Sequence, residues 1–321
     1  MKKNNLTPTG GGRNELLDSI KCCLIFLVVL GHVLLTTDSY YSDRVIKAAI
    51  SWIWFFHMPA FAIISGYFFN PDVPKTKLVN GVYELLTTYI IMQIVLTVIY
   101  GPYDIKNALL VPQYAMWYLI ALPSWRVFSF LLRKITDKLW LTIIIGIIMC
   151  LVSGFIPISY LGFQRICSFF PFFSIGCLFR EHNIIEKYRH KYATYAIVLL
   201  ILLFVCFLIP DRTICSGMCN VPYKSILQLF TRASVLFFGL IMSICFFWVI
   251  PNKKNLALIG KNTLFVYCYH VFFILGVMPN LWAELGIVPN FLYCLLYSLT
   301  IFILLGIASR VKLLNRLIKP F

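Results

Sequence analysis

Apolar residues run along this chain in long blocks, separated by short polar gaps that hold most of the charge. A block of roughly 17 to 25 mostly apolar residues is long enough to cross a bilayer as a helix. Ten blocks have that character, near 18–37, 46–69, 82–100, 115–132, 139–156, 161–179, 192–210, 226–250, 257–278 and 287–308. Lipid offers backbone groups no water, so each block is predicted to satisfy its own N–H and C=O groups as an α-helix. The gaps are too short to hold a soluble domain. The pattern predicts an all-α polytopic membrane protein: a polar tail over 1–17, a single ten-helix domain over 18–308, and a basic tail over 309–321 with no appended soluble domain.

Charge then sets the orientation, because lysine and arginine accumulate on the cytoplasmic side of a membrane protein. Of the 28 basic residues, 20 fall on the side that holds the N-terminus, 5 on the opposite side (Arg44, Lys47, Lys106, Arg212 and Lys224), and three lie within blocks. Both termini are therefore predicted to be cytoplasmic, in keeping with an even number of spans. Hydrophobic residues at 60% and charged residues at 12% exclude a water-soluble globule. The net charge of +16 is not a nucleic-acid signal, since it sits in short gaps rather than on a solvated basic face. Most of the 11 cysteines lie inside apolar blocks and read as small hydrophobes. Cys215 and Cys219, in "CSGMC", fall in a predicted outer loop where a local disulfide is feasible. The first block resembles a signal peptide, but Lys21 and His32 interrupt it and no small-residue cleavage site follows, so it is expected to stay as an anchor.

Ionisable groups inside the blocks are the candidates for chemistry, because a charge at the bilayer centre costs at least about 2.5 to 3.5 kcal/mol. In "LDSIKCCLIFLVVLGHV", Lys21 and His32 are eleven residues apart. That separation puts them on one helix face about 16 Å apart, with Asp18 one turn before Lys21. The second block, "SWIWFFHMPAFAIISGYFF", places His57 near its middle, just before the helix-kinking Pro59. The ninth, "LIGKNTLFVYCYHVFF", has Lys261 at its cytoplasmic edge and carries His270 half a turn off that residue's face. The three arginines within blocks are Arg126, Arg165 and Arg232. The direction of each span brings His32, His57 and His270 to similar depth, with Arg165 and Arg232 near the outer ends of their helices. For Arg126, snorkelling from near a helix end is an equal alternative.

Histidine suits general-base work near neutral pH. No two of these histidines have the close helical spacing of a metal-binding helix, so no metal is expected. Serine-hydrolase elbows and phosphate-binding glycine loops are missing from the sequence.

These features resemble the membrane-bound acyltransferase-3 family, which O-acetylates bacterial polysaccharides, and in particular its fucose-4-O-acetylase-like branch. The likeness rests on the basic residue, ten residues and histidine of "LDSIKCCLIFLVVLGHV", and on "FFHMPAFAIISGYFF", "MWYLIALPSWR", "FFPFFSIGCLFR" and "LIGKNTLFVYCYHVFF", which cover most of the chain in the family's order. The resemblance implies acetyl-CoA as the donor on the cytoplasmic side. It also implies a sugar hydroxyl of a surface polysaccharide, or of its lipid-linked precursor, as acceptor, and a location in the bacterial cytoplasmic membrane.

By the same resemblance His32 matches the family's essential histidine, acting as base or as acyl carrier; Asp18, one turn before Lys21 on the same stripe, is a second catalytic candidate. Lys21 matches the paired basic residue that attracts CoA phosphates. His57, Arg126, Arg165, Arg232, His270 and Trp117 are candidates for binding donor or acceptor. One departure stands out: the family's Arg-x-x-Arg pair entering the third span is replaced by "PKTKLVNGVYELL", with Lys75 and Lys77. A transporter or flippase that binds an anionic substrate on buried histidine and arginine is the alternative. Against it, the two halves show no internal repeat.

Overall fold

The computed structural model describes residues 14–37, 39, 42–101, 104–158, 160–187, 192–209 and 221–311. Cys215, Cys219, Arg212 and most of both tails lie outside the described residues.

Helices occupy all ten apolar blocks. They are α1 (Glu15–Thr36), α2 (Arg44–Phe68), α3 (Lys75–Tyr100), the short α4 (Ile105–Leu110), α5 (Trp117–Ile135), α6 (Leu139–Ser153), α7 (Phe163–His182), the short α8 (Ile184–Lys187), α9 (Tyr192–Leu208) and α10 (Leu227–Val249). The ninth block is divided into α11 (Lys254–Gly260), α12 (Thr263–Phe272), a π-helical stretch (Phe273–Val277) and α13 (Met278–Leu285), and α14 (Phe291–Ala308) ends the bundle. Polar side chains start several of these helices where the first N–H groups lack partners: Asn14 accepts from Leu16 and Leu17, Asp43 from Val45 and Ile46, and Asn290 from Tyr293.

Among the described residues seven helical stretches are long and apolar enough to cross a membrane, fewer than the ten expected. Leu139–Ser153 and Tyr192–Leu208 are apolar but shorter. The stretch Trp117–Ile135 has the length, but Arg126, Arg133 and Lys134 lower its hydropathy. The protein is a polytopic helical membrane protein, with its peripheral helices coated in exposed apolar side chains such as Ile94 and Val98 on α3, Leu200 and Phe204 on α9, and Ile303 and Ile307 on α14. That coat suits lipid, which has no reason to drive leucine inward as water does.

Helix ends gather as an alternating up-and-down bundle requires. At one end, Asn14 and Tyr67 both donate to Glu186 (2.8 to 2.9 Å), Arg133 pairs with Asp72 at 2.9 Å, Ser19 donates to the carbonyl of Lys253, and Asn262 donates to that of Ser309. This Lys21 end thus unites the start of α1 with the ends of α2, α5, α7, α10 and α14. At the opposite end Arg44 donates to the carbonyls of Phe207 and Leu208, closing the terminus of α9.

The central helices are α1, α2 and α7, and small residues set how closely they pack. A Cβ on Gly66 would collide with the carbonyl of Phe173, and one on Gly176 with the carbonyl of Ile63, so α2 and α7 cross backbone to backbone. Gly260 meets the carbonyl of Asp18 in the same way, and this draws α11 against the start of α1. The consequence is functional: Lys261 is delivered beside Lys21.

Candidate active site

On α1, Lys21 reaches back one turn and its Nζ lies 2.6 Å from Oδ1 of Asp18, a carboxylate only 1% exposed. The same ammonium lies over the ring of Phe68 at 4.9 Å. Asp18 holds Lys21 in place, and its expected catalytic role fails on distance. It precedes His32 by fourteen residues, about 21 Å along the helix axis.

From Lys21 a cavity of about 330 Å³ runs inward along α1, past Ile25 and Val28. Lys21, Lys261 and Arg126 give it three cations, with Glu84 of α3 as the acidic counterpart. Arg126 therefore points into this cavity rather than out to the membrane edge. Its Nη1 lies 3.2 Å from where a Cβ on Gly81 would sit, and its buried Nε has no hydrogen-bond partner among the described residues. Tyr118 and Tyr267 also line the cavity. Tyr118 is held by a 2.6 Å hydrogen bond between its hydroxyl and that of Ser65, and Tyr267 donates to the carbonyl of Ala115.

One turn beyond Val28 stands His32, partly exposed, at the centre of a ring cluster. Its imidazole centroid is 5.3 Å from that of His270 and 5.3 Å from the indole of Trp54, while Trp54 lies 4.5 Å from His57. The two partner histidines are pinned alike by their own helices. Nδ1 of His57 donates to the carbonyl of Ile53 at 2.8 Å, and Nδ1 of His270 to that of Tyr267 at 2.7 Å, with Val266 at 3.2 Å. A carbonyl only accepts, so in the neutral rings Nδ1 carries the proton and Nε2 keeps its lone pair. Arg165, half-buried, approaches from the opposite end and lies over the ring of Trp117 at 5.0 Å.

The local sequence explains this arrangement. Pro59 has no N–H for the carbonyl of Phe55, and α10 covers that stretch of α2 with Gly239 and with Ser243, whose hydroxyl reaches the carbonyl of Phe56. Beyond His270 the helix loosens into its π-helical stretch, where the hydroxyl of Tyr297 donates to the carbonyl of Phe273 at 2.8 Å.

The family profile described as an acyltransferase domain matches residues 14–309, which takes in the cavity, the ring cluster and every described transmembrane helix. The chain belongs to the acyltransferase-3 family. Two curated relatives of this acyltransferase-3 chain are both nodulation protein NolL. That of Mesorhizobium japonicum is 26% identical over 232 residues, 63% of this chain and 58% of the relative. That of Sinorhizobium fredii is 25% identical over 220 residues, 60% of this chain and 56% of the relative. The chain thus spans less than two thirds of the length of the relatives it matches. No solved structure matches it.

Of the residues singled out in the sequence, this acyltransferase-3 fold brings His32, His57, His270, Arg165 and Trp117 into one region, and Lys21 and Arg126 into the cavity along α1. Arg232 goes elsewhere, which corrects the expectation that it binds a ligand with the histidines. It is fully buried in a knot of acceptors at the junction of α6, α7 and α10: the carbonyl of Cys150 and the hydroxyl of Ser153 at 3.0 Å each, the side chain of Gln164 at 3.4 Å, and the carbonyl of Val221 at 2.9 Å. Tyr223 adds its ring face at 4.6 Å. Lys75 and Lys77 are exposed at the start of α3 and do not line the cavity. Lys261, Glu84, Tyr118, Tyr267 and Trp54 were not picked out as site residues from the sequence. Lys261 carried a signal, as the basic residue near the start of its block.

Proposed function

We propose that the protein is an O-acetyltransferase that moves the acetyl group of acetyl-CoA to a hydroxyl of a surface polysaccharide or its lipid-linked precursor. The observation that carries this reading is the cavity: three cations in its lining, apolar side chains along α1, and a histidine cluster one turn past its last α1 residue. A CoA ester has that form, with phosphates at one end, a long thin arm, and a thioester at its tip. Lys21, Lys261 and Arg126 hold the phosphates, which charge-assisted hydrogen bonds favour. His32 meets the thioester, as base or as acyl carrier. The acceptor enters from the opposite end, past Trp117, with Arg165 oriented toward its polar groups. With both termini cytoplasmic, the cations face the CoA pool and the acceptor arrives from outside. The setting is the cytoplasmic membrane of a bacterium.

The test is acetyl-CoA consumption by purified wild-type and His32→Ala protein, with crude surface polysaccharide as acceptor. The wild type consumes acetyl-CoA, and His32→Ala loses about 10²- to 10⁴-fold in rate while keeping the wild-type elution profile. Equal rates remove His32 from the reaction. No consumption by either folded protein sinks the acyltransferase reading.

A further inference from the structure

His270 combines three properties among the described residues. It is fully buried, its Nδ1 proton is committed to the carbonyl of Tyr267 at 2.7 Å, and its Nε2 is buried without any hydrogen-bond partner. A buried acceptor left unmatched costs about 1 to 3 kcal/mol, and His270 stands ring to ring with His32 at 5.3 Å, where a donor on a bound acceptor would relieve that cost. A sugar hydroxyl is such a donor. The tautomer is fixed in the useful sense, because an imidazole locked with its proton on Nδ1 offers Nε2 only as a base.

We propose that His270 is the base that takes the proton of the acceptor hydroxyl, and that His32 is the carrier of the acyl group. This assignment rests on the acyltransferase reading above. In the first step a His32 nitrogen bonds to the acyl carbon as the acyl–sulfur bond breaks, its electron pair leaving with CoA. In the second step the acceptor oxygen bonds to that carbon as its O–H proton passes to Nε2 of His270 and the acyl–nitrogen bond breaks. The electron pair returns to His32, which is again a neutral imidazole, and the proton on His270 leaves to solvent, balancing the proton that the departing CoA thiolate takes up. No oxidant or metal enters either step.

Two half-reactions separate the roles. Exchange of labelled CoA into acetyl-CoA needs only the donor and His32, whereas transfer to polysaccharide also needs a base for the hydroxyl. In His270→Asn the side-chain amide still donates to the carbonyl of the preceding turn, but the base is gone. Transfer to crude surface polysaccharide falls at least about 100-fold, while exchange stays within about twofold of wild type. Hydroxylamine, a nucleophile that attacks without a base, is still acetylated by the variant. Should the asparagine variant not fold, His270→Gln takes its place. Exchange that falls in step with transfer in a folded variant overturns the proposal, because His270 then only holds His32. Unchanged transfer overturns it as well, and wild-type transfer without exchange removes the carrier role from His32. A wild type that neither exchanges nor transfers fails at the earlier reading instead.

Discussion

Arg232 and His270 are both fully buried and ionisable, and both stand on helices long enough to take part in crossing the membrane, yet they are treated in opposite ways. The guanidinium of Arg232 is surrounded by two carbonyls, a hydroxyl, an amide oxygen and an aromatic face. Around His270 only one nitrogen is satisfied, and in the same cluster Nε1 of Trp54 has no partner among the described residues. Burial of a polar group without a partner is costly in either place. What separates the two regions is whether the protein supplies the partners itself. The Arg232 knot is closed and belongs to folding, whereas the histidine cluster is left open for something that arrives.

The harshest test of that contrast is Arg232→Met. It removes the shared donor of four acceptors at once, strands several of them in the interior, and is expected to cost about 3 to 5 kcal/mol, as loss of one partner from a buried charged network does. The junction of α6 with the start of α7 loosens, so thermal unfolding in detergent moves down sharply and the yield of monodisperse protein falls with it. Whatever protein survives still has its histidine cluster and exchanges CoA. A stable variant with abolished exchange would instead move Arg232 into the site and erase the distinction.

A smaller effect belongs at the mouth of the cavity. Lys21 is paired with the buried Asp18, so removing it alone would strand a carboxylate, and the informative variant is Lys21→Ala in an Asp18→Asn background. Loss of one charge-assisted contact to a CoA phosphate is worth about 1.5 kcal/mol, or about a tenfold rise in KM for acetyl-CoA. The maximal rate stays nearly constant, since the contact adds binding rather than chemistry. A fall in kcat at constant KM would place Lys21 in the reaction itself.

The open region was easier to foresee than the closed one. His32 lies eleven residues from Lys21, and His270 nine from Lys261, so helical period and direction of travel were enough to bring the three histidines to one depth. Arg232 carried the same kind of signal, an arginine within an apolar block, but nothing in its own segment revealed its partners. Those partners are Gln164, a serine at the end of α6 and two backbone carbonyls, all outside its own helix and three of the four remote in sequence. The division of the ninth block follows from packing in the same way, since Gly260 sits against Asp18 in a crossing that no single segment encodes. The span count exceeded the number of long apolar helices because α6 and α9 are short and α5 is polar.

The mildest change sharpens the comparison most cleanly. Trp54 stands between His32 and His57, and its indole N–H is buried with no acceptor among the described residues. In Trp54→Phe that unmatched donor disappears while an aromatic ring remains to pack against the histidines, so relief of a buried polar group offsets the lost area. Stability should change by no more than about 1 kcal/mol, which a thermal melt in detergent resolves. If the N–H serves the loaded site, by holding a carbonyl oxygen of the acyl group or a hydroxyl of the acceptor, transfer falls several-fold in this well-folded protein, in keeping with one hydrogen bond of about 1 kcal/mol. A variant that melts early and turns over normally would put Trp54 with Arg232, as a residue whose work is packing. A variant that melts normally and turns over slowly puts it with His270, among groups the fold leaves unsatisfied because the reaction satisfies them.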